Sequence, residues 1–223
     1  DWGVVAVGPG HGIQLAGGRL LAPVWVSTSH SHAHQPSRTG VIYSDDHGAT
    51  WFVGELVPDE LPNCNEAAAV ELADGRVLLS MRHQGPSLRA ETVSSDGISG
   101  WARPWLDEAL YEPQCYASIL RWTLPCGDEP GRILYVHPDS RAAGLPGARC
   151  NLTLRVSYDE ARTWPVHRVV ERGPAGYADL ALAPDGSILC LYEAGPMPGQ
   201  PYTVPAIKLV HLDLTWLKGE TCV

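Results

Sequence analysis

Apolar residues in this chain come in short runs broken by glycine and proline, and no segment of helical length carries a 3.6-residue stripe. One unit recurs instead. An apolar strand enters a glycine-containing turn and a second apolar strand leaves it. The copies are GIQLAGGRLLAPVWVS from residue 12, AAAVELADGRVLLSMR from 67 and DLALAPDGSILCLYEA from 179. RILYVHPD from 132 reads as the second half of another copy, split by an insertion. Gly17-Gly18, Asp74-Gly75 and Asp185-Gly186 stand where a tight hairpin requires positive φ. A two-residue turn at Asp74-Gly75 places Glu66 opposite position 83, one step from Arg82. Both charges then emerge at the same end of the sheet, and the turn length decides the face each takes.

A third strand follows each hairpin and runs into a Ser-x-Asp segment that ends in tryptophan. The segments are GVIYSDDHGATW (40–51), TVSSDGISGW (92–101) and LTLRVSYDEARTW (152–164). Ser44, Ser94 and Ser157 are 50 and 63 residues apart (94 − 44 and 157 − 94). A period of about 50 residues with four short strands is the pattern of β-propeller blades. Within the motif, the Asp is expected to cap the turn's own amides and the small residue to allow the bend. The Trp is expected to plug between neighbouring sheets. The third copy carries Ala161 at the position where glycine is usual.

Composition narrows the function classes. Hydrophobic residues make up 44% and charged residues 18%, as in an ordinary folded domain. No apolar run approaches the roughly 20 residues of a membrane helix, and the opening DWGVVAVGPG has neither the basic nor the apolar region of a secretion signal. Lys and Arg number 16 against 25 Asp and Glu, a net charge of −9. With no basic run, nucleic acid is excluded as a partner, and an anionic ligand requires a local arginine cluster. The six cysteines form no C-x-x-C pair, which argues against a zinc ribbon. Cys190, inside SILCLY, reads as a buried thiol, and Cys115 and Cys126 either close a loop or stay free. No Asp/Glu cluster has cation-ligand spacing, so no metal or cofactor is expected. An acidic chain with six cysteines favours a secreted location.

Ser-x-Asp-x-Gly-x-Thr-Trp is the Asp-box, or BNR repeat, found in several unrelated β-propellers. Four further segments lie between or beside the boxes: GPGHGIQLAGGRLLAPV (8–24), NEAAAVELADGRVLLSMR (65–82), RCNLTLRVSYDEARTW (149–164) and GYADLALAPDGSILCLYE (176–193). In this order they resemble the exo-α-sialidases (neuraminidases). The resemblance implies an all-β, six-bladed propeller with about four blades in this chain. Residues 1–223 would then be the C-terminal part of the catalytic domain, without its N-terminal blades. LVHLDLTWLKGETCV is similar to the family's closing strand and tail.

The resemblance also implies roles. Sialic acid carries a carboxylate on its anomeric carbon, and arginine grips a carboxylate through two parallel hydrogen bonds. Arg82 and Arg149 match the second and third arginines of the family's triad. Arg141 and Arg155 compete with Arg149, although Arg155 alternates within the strand and fits an edge position. Sialidases attack with a tyrosine, which avoids bringing a carboxylate nucleophile against the substrate's own carboxylate. Tyr177 matches that nucleophile, and Glu66 matches the base that takes its proton. Ala178 stands where Tyr-Ser-Asp is more frequent. Glu193 matches the carboxylate that orients the first arginine. His11 and Tyr116 are expected to contact substrate, with Tyr111, Gln114 and Cys115 lining the pocket. The first arginine and the general-acid aspartate belong upstream, and DWGVVAVGPG contains neither. The competing readings are a non-catalytic propeller that binds sialic acid or another carbohydrate, and a purely structural Asp-box propeller. In the enzyme reading the partner is a sialylated glycan, with the missing blades supplied by the same or another chain.

Overall fold

The computed structural model describes residues 2–29, 34–85, 87–195 and 205–218. The described residues are all-β apart from one short helix, α1 (Leu214–Lys218). The chain divides into two compact units, Asp1–Tyr116 and Ala117–Val223.

The first unit holds two sheets. One contains β1 (Val4–Val7), β2 (Ile13–Gln14), β3 (Leu20–Ser27), β4 (Ser37–Ser44) and β5 (Phe52–Val53), in the order β1-β3-β4-β5 with β2 added to β3. The other is a meander of β6 (Cys64–Glu71), β7 (Val77–His83), β8 (Leu88–Ser94) and β9 (Trp105–Tyr111). Every residue of β7 and nearly every residue of β6 is buried, so both faces are covered, and Ala67 to Val70 and Val77 to Met81 are all small or apolar. Leu21, Val41, Ala69, Val77, Leu79 and Met81 form the centre of the core.

The second unit is one six-stranded antiparallel sheet. Its strands follow chain order: β10 (Ser118–Thr123), β11 (Arg132–Pro138), β12 (Cys150–Ser157), β13 (Val166–Leu182), β14 (Ile188–Ala194) and β15 (Ala206–Leu212). The 17-residue β13 serves twice. Its first half pairs with β12 and its second half with β14. Leu134, Val136, Leu154, Val156, Leu180 and Ile188 pack into this unit's core. Cys190 is buried there as a free thiol, and burial pushes its pKa up to about 12.

The three hairpin turns share a construction that differs from the two-residue form expected. At the β6–β7 turn, Leu72 N–H donates to Arg76 O at 2.7 Å and Gly75 N–H to Leu72 O at 2.9 Å. Leu15/Arg19 and Ala183/Ser187 repeat the pattern. These are three-residue loops in which only the last residue is left-handed: Gly18 at φ 92°, Gly75 at 86° and Gly186 at 82°. The extra residue moves the register by one. Ala67 faces Met81, so Glu66 lies across from Arg82 itself rather than from position 83.

The Asp-boxes cap as expected. Asp46 accepts from Thr50 N–H at 2.8 Å and from the Thr50 hydroxyl at 2.6 Å, while Ser44 Oγ accepts from Gly48 N–H at 2.8 Å. These bonds from Thr50, then Ser44, lower the Asp46 pKa to about 2. The third box repeats the set through Asp159 and Thr163, with Ala161 accepting the left-handed position at φ 63°. The tryptophans divide. Trp101 and Trp164 are each 6% exposed, and Trp164 packs 5.4 Å from the Tyr135 ring. Trp51 is 47% exposed and donates to its own box at Gly48 O, so the first box does not plug between sheets.

Glu91 is an unexpected buried acid. It sits on β8 between Ser80 and Trp105, and its Oε1 is buried without a hydrogen-bond partner. Burial, and then the nearby Asp107 charge, push its pKa up from 4.5 to about 8, against the pull of Arg89. A raised folded pKa means that the bound proton stabilises the fold fully below the ordinary value. That contribution is lost as pH rises through about 8. Urea unfolding should therefore show stability falling between roughly pH 5 and 8, with up to about 1.4 kcal/mol per pH unit from this group. Glu91→Gln should flatten the slope by that one-proton contribution. An unchanged slope would contradict the assignment.

Candidate functional site

Each unit presents candidate chemistry at β-bulges, where two residues on one strand oppose one on its partner and a side chain is re-aimed. In the first unit the register jumps from Cys64↔His83 to Ala67↔Met81, so Asn65 and Glu66 together oppose Arg82. Asn65 Oδ1 accepts from Glu66 N–H at 2.8 Å and fixes the bulge. Arg82 Nη1 then meets Glu66 Oε2 at 2.9 Å, with side chains only 9% and 7% exposed. This is a buried ion pair rather than a solvated strand-end bridge. In the orientation its neighbours dictate, the Gln84 amide oxygen accepts from Arg82 Nη2 at 3.1 Å and from Asn65 Nδ2 at 3.2 Å.

A second, deeper ion pair braces the first. Arg89 is 0% exposed, and five hydrogen bonds use its guanidinium N–H groups. Nε donates to Ser80 Oγ at 3.1 Å, and Nη1 to Glu112 Oε2 at 3.0 Å and Cys115 O at 3.1 Å. Nη2 donates to Glu66 O at 3.3 Å and Ser80 O at 3.1 Å. Glu112 also accepts from His83 N–H at 3.2 Å and Cys115 N–H at 3.1 Å. Burial pushes the Glu112 pKa up to about 7, opposed by Arg89 and Arg82. The pair thus holds the backbone on either side of Glu66 and Arg82. Sequence reading missed it, because Arg89 and Glu112 look like any surface charges in LRAETVS and YEPQ.

The loops around His11 and Tyr116 meet. Tyr116 is 2% exposed, and a Cβ built on Gly10 would lie 1.7 Å from its hydroxyl, so only glycine fits there. His11 is half-buried beside it in sequence. Tyr111 and Cys115 are buried in the unit, and Gln114, at φ 54°, is the exposed member of that loop. They therefore do not line an open pocket together. Cys115 is buried and Cys126 exposed, and both are free thiols, so the possible loop closure between them is not made. Cys222 lies outside the described residues.

The second unit repeats the construction. Between Ala175↔Ala194 and Ala178↔Tyr192, Gly176 and Tyr177 together oppose Glu193. Glu193 Oε2 accepts from Tyr177 N–H at 2.9 Å, and a Cβ on Gly176 would meet the same oxygen at 2.4 Å. Glycine is required for the carboxylate to lie against the backbone. The Arg149 guanidinium carbon sits 5.2 Å from the centroid of the Tyr177 ring, in cation–π range. Arg149 is held by a third bulge at Asn151, which is left-handed at φ 59°. Asn151 Nδ2 donates to Asp139 O at 2.9 Å, and Arg149 O accepts from Ala175 N–H at 2.9 Å. Ala178 packs into the core, so a small apolar residue suits that position.

The arginines that competed with Arg149 are accounted for. Arg155 does not sit on a sheet edge. Its strand β12 is internal, and its side chain is engaged by Asp139 at 2.6 Å and His137 Nε2 at 2.9 Å. Arg141 is exposed in the turn after β11. Among the described residues, no group of three His, Cys, Asp or Glu is placed to hold a metal.

The comparison with known proteins agrees with the repeats. A family described as the BNR repeat-like domain matches residues 1–190. The chain belongs to this family. This BNR repeat-like chain is 35% identical over 217 residues to a sialidase of Micromonospora viridifaciens, covering 94% of the chain and 30% of that relative. It is 30% identical over 237 residues to Sialidase-3 of Homo sapiens, covering 87% of the chain and 55% of the relative. The chain thus spans 30% of the length of the first relative and 55% of the second. Among solved structures, Hadza microbial sialidase Hz136 superposes with a TM-score of 0.77 at 24% identity, over 97% of this chain and 39% of that one. The leech intramolecular trans-sialidase gives 0.77 at 24% identity, over 96% and 32%. These neighbours show a shared propeller-like BNR fold.

Proposed function

We propose that this chain forms part of the catalytic domain of an exo-α-sialidase, which releases terminal sialic acid from glycoconjugates with retention of configuration. The observation that carries the reading is Tyr177, presented at a bulge with the Arg149 cation over its ring and the Glu193 carboxylate on its amide. Its sialidase relatives favour the same reaction class.

The roles follow from the chemistry. Tyr177 Oη attacks the anomeric carbon and the aglycone oxygen leaves. The resemblance assigns Glu66, paired with Arg82, as the base that takes the phenol proton. Water then attacks the anomeric carbon from the face the aglycone left, opposite Tyr177, and the phenolate departs and recovers its proton from Glu66, which restores the configuration. By the same resemblance Arg82 and Arg149 match arginines that hold the sugar's carboxylate, and His11 matches a sugar contact. A cation beside a tyrosine ring favours the phenolate that develops during attack. The general acid and the first arginine come from other blades of a six-bladed propeller, of which this chain supplies about four. Coverage of about half of Sialidase-3 supports that division. So do apolar side chains left exposed on sheet faces: Val5 and Val7 in one unit, Leu191, Ile207 and Leu209 in the other.

The test is ¹H NMR of sialic acid released from 4-methylumbelliferyl α-sialoside by the protein that carries this chain. The α-anomer should appear first. A β-anomer as first product would overturn the mechanism. Gly176→Ala should also lower turnover by about 100-fold, since a displacement near 1 Å has effects of that size. The methyl would push Glu193 off the Tyr177 amide. Turnover within a few-fold of the parent would contradict this use of the bulge.

A further inference from the structure

The second unit holds a buried polar cluster that takes no part in the reaction scheme. Asp139 follows β11, and His137 and Arg155 lie beside it. Asp139 and His137 are 4% and 2% exposed. We propose that Asp139 is a positioning residue for the candidate site: acting through Asn151, it aims Arg149 at the Tyr177 ring and at the substrate's carboxylate. The substrate's part in this rests on the sialidase reading; the placement of Arg149 against the ring does not.

The cluster is built around the Asp139 carboxylate. Its Oδ2 accepts from Arg155 Nη2 at 2.6 Å, and its Oδ1 accepts from Ala142 N–H at 3.3 Å. A second bond, from Arg155 Nε to His137 Nε2 at 2.9 Å, turns the guanidinium toward Asp139. The two side chains of this bridge are only 11% and 6% exposed. A bridge so far out of water adds little stability over apolar groups of the same volume, because desolvation offsets the attraction. What it does fix is a place. The Asp139 main chain cannot shift without breaking it.

That main chain holds Asn151. Asp139 N–H donates to Asn151 O at 3.0 Å, and Asn151 Nδ2 donates back to Asp139 O at 2.9 Å. Thr153 Oγ1 gives Asn151 O a second donor at 2.9 Å. Asn151 is left-handed at φ 59°, a conformation that few residues other than glycine, asparagine and aspartate adopt readily. The bonds to Asp139 and Thr153 keep it there. The register of β12 against β13 slips at this point, between Cys150 and Leu152 and again between Leu152 and Thr153. Arg149 stands two residues upstream of Asn151. Its carbonyl accepts from Ala175 N–H at 2.9 Å, and its guanidinium carbon lies 5.2 Å from the Tyr177 ring centroid. The path from Asp139 to Tyr177 is therefore continuous, through hydrogen bonds and two residues of chain.

The experiment compares Asp139→Asn, Asn151→Gly and the two together in the protein that carries this chain. Asp139→Asn keeps the shape but offers one acceptor oxygen where Arg155 and Ala142 use two. Asn151→Gly tolerates the left-handed φ, so it removes the amide without straining the backbone and keeps the fold even where Asp139→Asn does not. Each single variant should raise KM for the fluorogenic sialoside about tenfold, with kcat within about threefold, since a carboxylate contact is made in ground and transition state alike. The double variant should also stay near tenfold, because both changes act through one turn. A structural role alone would lower the folded fraction and leave KM in place. Unchanged KM in Asn151→Gly, or effects that multiply in the double variant, would overturn the proposal. A second readout needs no substrate. The Arg149 Cδ protons, assigned by NMR from Arg149→Lys, should resonate upfield under the Tyr177 ring and move back toward the ordinary arginine position in Asn151→Gly. A signal that stays in place would overturn the positioning role. A parent without turnover whose Arg149 signal does move would sink the sialidase reading alone. Turnover that depends on Tyr177, with KM unchanged in Asn151→Gly, would sink the positioning role alone.

Discussion

Arg89→Ala is expected to destabilise the first unit by about 3–5 kcal/mol, the largest stability effect the structure implies. The reason is asymmetry. The Arg89–Glu112 pair is almost wholly out of water, and its worth lies in every partner being present. Removing the guanidinium leaves the Glu112 carboxylate without its counter-ion and takes a donor from the carbonyls of Ser80, Cys115 and Glu66. Replacing both residues by apolar groups of similar shape, Arg89→Met with Glu112→Leu, should recover much of the loss, because no buried charge is then left alone. Equilibrium unfolding in urea measures both. A loss below about 1 kcal/mol for Arg89→Ala would show that the pair is solvated or dispensable. The double variant should still lower turnover if the pair positions Glu66 and Arg82, since the backbone they hang from loses its brace.

Tyr177→Phe is expected to carry the largest effect on activity, a fall in kcat of about 10³-fold or more toward the fluorogenic sialoside, with KM little changed. The variant keeps the aromatic ring, so Arg149 keeps its cation–π partner and Glu193 its backbone amide. Only the hydroxyl is lost, and with it the nucleophile. Glu66→Gln makes a poorer comparison, because it also unpairs the buried Arg82 and mixes a folding loss with a kinetic one. A Tyr177→Phe protein within tenfold of its parent would remove the tyrosine from the chemistry and favour a carbohydrate-binding propeller.

Local turn chemistry made most of the fold legible. Asp74-Gly75 and Asp185-Gly186 announce hairpins because one left-handed residue is needed there. The Ser–Asp–Thr pattern announces its own capping bonds because all partners lie within a few residues. What depends on a count of residues across a turn was less legible. A loop of three residues between Leu72 and Arg76, rather than two, moved the register and placed Glu66 opposite Arg82. The bulges at Glu66, Asn151 and Tyr177 leave no mark in alternation, since an inserted residue resembles the other face of the strand. Their one local trace is the small or left-handed residue beside them, such as Gly176 and Asn151. Arg89 and Glu112 were invisible because burial of a charge depends on partners far along the chain. Trp51 shows the opposite error: the same motif can leave its tryptophan largely in solvent.

The most direct measurement is mass-spectrometric peptide mapping after treatment with a 3-fluorosialosyl fluoride. The anomeric fluoride leaves as the nucleophile attacks, and the ring fluorine slows the hydrolysis that would release the sugar. The account predicts a glycosyl adduct on the peptide containing Tyr177, absent in Tyr177→Phe. An adduct on a carboxylate such as Glu66 or Glu193, or turnover with no adduct on Tyr177, would contradict it.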